Sequence, residues 1–105
     1  MEKERKLYYL GNNVFVTYMI SKGVEFCEDK IEKKEFEGKL RFSFPFYTDD
    51  PKFLEARNEI FRCKDTGEKL YFPEISNNDQ LSFKDASDVR FEAIRRKFPK
   101  KKGGR

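Results

Sequence analysis

The segment Leu40-Arg41-Phe42-Ser43-Phe44-Pro45-Phe46 restricts this chain more than any other part of it. Its large apolar residues occupy every second position, so an extended strand gathers them on one face, whereas a helix would scatter them around its circumference. A strand carrying such a face needs a partner strand and a covering layer. Pro45 has no N–H to give to a ladder and is expected on an edge or at a strand end. Upstream, Val24 and Phe26 alternate with Glu25 and Cys27 in the same period of two. The pattern predicts a half-buried hairpin between residues 24–27 and the phenylalanine strand, with Glu37-Gly38 as a turn. Residues 28–34 hold few apolar side chains, so the distal hairpin should project into water, and an exposed edge near residues 24–27 would permit pairing between chains.

The remaining elements follow from caps and periods. Residues 6–10 form a short run of strand formers closed by Gly11-Asn12-Asn13. Asn12 or Asn13 can cap a short, buried helix in which Phe15, Tyr18, Met19 and Lys22 recur at helical spacing, with Gly23 as a left-handed stop. Asp49-Asp50-Pro51 starts a second helix, with a stripe of Phe53, Leu54, Arg57, Ile60, Phe61 and Lys64 ended by Asp65-Thr66-Gly67. Leu70-Tyr71-Phe72 could add a fourth strand. Ser82 with Asp85 resembles a capping box, opening a last helix with Ala86, Val89, Arg90, Ala93, Ile94 and Lys97 inward. The order β-α-β-β-α-(β)-α predicts an α+β fold, a small antiparallel sheet with a long hairpin covered by two or three helices, and it is compatible with a ferredoxin-like arrangement.

Charge divides the chain in two. Seven of the 23 Lys and Arg lie in the last eleven residues, leaving 16 in residues 1–94 against all 19 Asp and Glu, a net of about −3. The organisation expected is a single domain over residues 1–97 with a basic tail at 98–105. With 40% charged residues the composition is polar, but twelve Phe and five Tyr supply the aromatic surface a folded core needs. No apolar run reaches the roughly 18 to 20 residues of a membrane span, and no signal-type segment follows the charged start, so no membrane partner and a cytoplasmic location are expected. Cys27 and Cys63 are far apart, which favours separate free thiols over a disulfide in such a compartment.

Histidine is absent, and with it Ser-His-Asp and Cys-His pairs, HExxH sites and the commonest zinc ligand. The six glycines are dispersed and match no phosphate-binding loop. Glu37-Gly38-Lys39 has the E-x-K form found in metal-dependent nucleases, but a turn is the preferred reading, and Asp49-Asp50 and Asp85 with Asp88 read as first-turn helix charges. No catalytic residue, metal or cofactor is expected. Stacking of bases on exposed aromatics is a mechanism suited to the composition, with Tyr8, Tyr9, Tyr47 and Phe98 as candidates. Phe98 stands between Arg96-Lys97 and Pro99-Lys100, where it could stack on a base or plug the end of the core.

Tyr8-Tyr9-Leu10-Gly11-Asn12-Asn13, the run from Val14 to Gly23, Leu40-Arg41-Phe42-Ser43-Phe44 and Phe91-Glu92-Ala93-Ile94-Arg95-Arg96, in that order, resemble a family of short uncharacterised domains of bacteriophages and mobile elements. The likeness covers about residues 7 to 97; the family brings no catalytic residues with it, and the chain departs from its pattern between Thr66 and Leu81 and in the Lys-rich end. The expected role is a non-enzymatic accessory protein that binds nucleic acid or a nucleoprotein through Arg95, Arg96, Lys97, Phe98, Lys100, Lys101, Lys102 and Arg105. The alternative is an inhibitor that binds a host protein, of the anti-defence or anti-CRISPR type, through the acidic, aromatic-bearing body. A small metal-dependent nuclease is the third reading. The sequence leaves the oligomeric state open.

Overall fold

Phe44 and Phe46 are fully buried at the centre of the molecule, and the other elements are arranged around the strand that carries them. A computed structural model describes residues 5–99 of the 105. Its elements are β1 (Leu7–Leu10), α1 (Asn13–Ser21), a 3-10 turn (Glu28–Lys30), β2 (Glu32–Phe36), β3 (Lys39–Tyr47), α2 (Pro51–Thr66) and α3 (Phe83–Lys97). The strands form one antiparallel sheet in the order β1-β3-β2, an α+β fold of three strands and three helices. With three strands the sheet is not the four-stranded ferredoxin-like arrangement.

β3 pairs with two partners in succession. Its first half meets β2, from Phe36 opposite Lys39 to Glu32 opposite Ser43, and its second half meets β1, from Leu10 opposite Phe44 to Leu7 opposite Tyr47. The turn between β2 and β3 is Glu37-Gly38, both at positive φ (52° and 79°), the conformation that matches a two-residue hairpin to strand twist. The hairpin therefore forms with the expected turn but with residues 32–36 as its second strand rather than 24–27. Residues 24–27 contribute a single bridge, Phe26 opposite Phe46, and the edge strands of the sheet are β1 and β2. Every residue of β2 is exposed, so it carries no apolar alternation and is held by backbone pairing to β3.

Pro45 lies inside the central strand, not on an edge. Its carbonyl accepts from Cys27 N at 2.9 Å, and the Cys27 carbonyl, which a residue with an N–H at position 45 would face, accepts instead from Lys30 N at 3.1 Å. The missing donor thus falls where β3 changes partners, and no acceptor is orphaned by it.

α1 is buried from Val16 to Ser21 and packs against both α2 and α3. Its β-branched residues have modest helix propensity, so tertiary burial holds it. Asn12 caps it, its side chain accepting from Phe15 N at 3.1 Å, and Gly23 leaves it at φ 84°. Ser21 and Leu81 then clamp the entry to α3, Ser21 Oγ donating to Leu81 O and Leu81 N to Ser21 O, each at 2.9 Å.

α2 begins at the Asp50 cap and Pro51, and ends at Gly67 in the left-handed conformation. Its buried seam is Phe53, Ala56, Ile60 and Cys63, one position around from the expected stripe, which leaves Leu54 and Phe61 exposed. Residues 70–72 form no strand; Leu70 and Phe72 pack on the core from an irregular segment, Phe72 edge-on to Tyr18 at 5.6 Å. Ser82 caps α3 by accepting from Asp85 N at 3.2 Å, but the return half of the capping box is not made: Ser82 N donates to Ser76 Oγ at 2.8 Å, and that hydroxyl donates to the Asp85 carboxylate. The buried residues of α3 are Ala86, Arg90 and Ala93, while Lys97 is exposed. Cys27 and Cys63 are free thiols, and burial pushes the Cys63 thiol up from its ordinary value.

Candidate nucleic-acid interface

Of the eight residues named from the sequence, Arg95, Arg96, Lys97 and Phe98 are described, while Lys100, Lys101, Lys102 and Arg105 lie outside the described residues. The four that are described have different surroundings. Arg96 is engaged: its Nε and Nη2 donate to the two carboxylate oxygens of Glu28 at 2.7 and 2.8 Å, with Glu92 a further 3.8 Å contact. The guanidinium holds the Glu28 carboxyl below the usual carboxylate range. Arg95 and Lys97 are exposed and form no ion pair among the described residues. At the last turn of a helix, where backbone carbonyls leave partial negative charge, three cations also satisfy the helix dipole.

Phe98 is half-buried and packs on the core, its ring 5.8 Å from that of Phe42, and its N–H donates to Ile94 O at 2.8 Å. It closes the end of the core while remaining partly exposed. Lys33, from β2, stands 5.1 Å from the Phe98 ring centre and Lys97 6.0 Å from it. The hairpin and the end of α3 thus flank one aromatic ring with two ammonium groups.

The tyrosines are less free than the sequence suggests. The Arg5 guanidinium covers Tyr47 at 3.8 Å, and Tyr8 meets Phe53 edge-on at 5.7 Å, although Tyr8 and Tyr9 are both more than 40% exposed. The isolated carboxylates also find structural tasks. Asp49 pairs with Arg5 at 2.7 Å, Asp50 caps α2, Asp88 pairs with Lys84 at 3.1 Å, and Glu37 forms the hairpin turn. Among the described residues no group of three or more Cys, Asp or Glu is placed to hold a metal ion, and no helix is long and apolar enough to cross a membrane.

A groove of roughly 500 Å3 opens on the same side of α3, where β1 stops and α1 begins. Gly11, Asn12 and Asn13 line it together with Lys39 and Arg41 of β3 and Arg90 of α3. No carboxylate lines it. Arg90 was placed on the inward stripe of α3 by its spacing, but nothing in the periodicity marked it as more than a packed residue. The signal available was its charge: a cation between Ala86 and Ile94 on an apolar stripe needs a partner.

Comparison with known protein families, with curated proteins and with solved structures finds no match to this chain.

Proposed function

We propose that this chain binds nucleic acid without catalysing a reaction on it, through the basic end of α3, the tail that follows and the basic hairpin beside them. The observation that carries the reading is Phe98 flanked by Lys33 and Lys97, because it joins a base-stacking ring to phosphate-attracting charges from two separate elements. Arg95, Lys97, Lys100, Lys101, Lys102 and Arg105 would engage the phosphate backbone by counterion release, and Arg96 would join them only by leaving Glu28. Contacts of this kind fix position on the backbone and do not read sequence. An accessory role in a nucleoprotein complex would suit the resemblance read in the sequence, for which the family comparison finds no match.

The test is the salt dependence of duplex binding by the full chain. A log–log slope of about −3 to −5 is expected, at roughly −0.9 per phosphate neutralised, and replacing Lys100, Lys101 and Lys102 together with Gln should reduce its magnitude by up to about 2.7 for any duplex sequence. A slope near zero, or a triple variant that binds like the parent, would overturn the reading in favour of a protein-binding inhibitor.

A further inference from the structure

Arg90 is 9% exposed, and its Nε has no hydrogen-bond partner among the described residues. Its one polar contact is a long 3.5 Å approach of Nη1 to Asn13 Oδ1, at the limit of a hydrogen bond. No carboxylate among the described residues pairs with it; the group beside it is the ring of Phe91, 4.5 Å from the guanidinium carbon. A buried cation without a counter-charge is costly, and burial lowers its affinity for its proton. The packing of α3 keeps this charge beside a groove that already contains Lys39 and Arg41.

A helix start also lines the groove. Phe15 N and Val16 N are satisfied by the Asn12 side chain and carbonyl, but the residues four positions before Asn13 and Val14 lie outside the helix, so their N–H groups have no acceptor within α1; of the two, Asn13 lines the groove. β3 adds more. The bonds of Pro45 O and Tyr47 N run to residues 25–27, so alternation turns the backbone polar groups of Leu40 and Phe42 to the other side, where β1 has already ended at Leu10.

From this arrangement we infer that the groove between the start of α1 and Arg90 is a phosphate-binding site, in which Arg90 supplies the counter-charge, the Asn13 N–H at the start of α1 donates, and Lys39 and Arg41 complete the positive field. The inference deepens the nucleic-acid reading and rests on it for the source of the phosphate, either a backbone diester or a terminal monoester. A phosphate seated here would fix the register of a strand whose other phosphates meet the end of α3.

Inorganic phosphate titrated into the 15N-labelled full chain at constant ionic strength, with chloride as the control, tests it. The Asn13 and Val14 amides should shift saturably, and Arg90→Met, which keeps the aliphatic stem and removes the charge, should weaken the affinity at least tenfold while melting no lower than the parent in chloride. If Arg90→Met does not fold, the exposed pair Lys39→Gln and Arg41→Gln should weaken phosphate several-fold on an intact fold. Absence of shifts at Asn13 and Val14, or variants that bind phosphate like the parent, would overturn the site. A trinucleotide with and without a 5′-phosphate separates the sources: a preference for the phosphorylated form assigns a monoester, and equal binding with the same amide shifts a diester. The Lys100, Lys101 and Lys102 to Gln variant should keep the phosphate shifts even as duplex affinity falls, so the tail reading and the groove fail independently.

Discussion

Arg96 and Glu28 form a two-bond ion pair, 2.7 and 2.8 Å long, that ties the last turn of α3 to the 3-10 turn leading into the hairpin. Under the nucleic-acid reading the pair competes with binding, because a guanidinium held by a carboxylate is withheld from phosphate.

Glu28→Gln should free Arg96, tighten duplex binding and steepen the log–log salt dependence by about 0.9. An unchanged slope would put Arg96 outside the contact. The Glu28 carboxyl lies below its ordinary value because of Arg96, so its stabilising contribution is present above about pH 4.3 and is lost as pH falls through the lower folded value. The Gln variant should show a shallower loss of stability in that acid window, measured by urea unfolding at a series of pH values.

Phe44 is fully buried and Phe61 is 40% exposed beside Arg57 and Lys64, so the two phenylalanines should respond differently to the same change. Phe44→Ala should cost about 3 to 5 kcal/mol, a large part of a small domain's stability, and Phe61→Ala about 1 to 2 kcal/mol. Chemical denaturation of both variants compares them directly; equal losses would mean that Phe61 is as deeply packed as Phe44.

Gly23 ends α1 at φ 84°, where an L side chain is strained. Gly23→Ala should cost about 1 to 2 kcal/mol through the backbone, since the nearest atom to an added Cβ is Lys52 Nζ at 3.2 Å, a flexible side-chain end that can move aside. A drop in melting temperature without any change in phosphate shifts is the expected result.

Burial pushes the Tyr18 hydroxyl from 10.0 up to about 12. A folded value above the unfolded one gives stability that is complete below about pH 10 and is lost as pH rises toward 12. Tyr18→Phe should flatten that alkaline decline, which denaturation followed between about pH 9 and 11 would detect; an unchanged decline would assign it to other groups.

Local signals made much of the fold legible. Asp50-Pro51, Ser82, Gly23 and Gly67 mark helix ends whatever the tertiary context, and the structure uses each where the sequence puts it, although Ser76 Oγ takes the Ser82 N–H that the capping box would give to Asp85. Signals that depend on what covers a surface did not carry. Val24 and Phe26 alternate like a strand because they are partly or fully buried, not because they pair along their length, and Glu32-Lys33-Lys34-Glu35 pairs fully while showing no apolar pattern. On α2 two adjacent seams both offered apolar residues, and tertiary packing buries the one with Ala56 and Ile60 while leaving Leu54 and Phe61 exposed. For the site, the basic end of α3 was legible as composition, but the approach of Lys33 to Phe98 and of Asn13 to Arg90 joins residues 65 and 77 positions apart, which no local pattern encodes.

Because β2 has no residue in the core, packing places no demand on the side chains of Glu32–Phe36. Lys33 or Lys34 can be exchanged for a carboxylate or an aromatic without disturbing Phe44, provided the backbone still pairs with β3. A lineage carrying this domain could therefore retune what it touches by rewriting five residues of one hairpin, and an engineer could graft a different recognition strand there on an unaltered body.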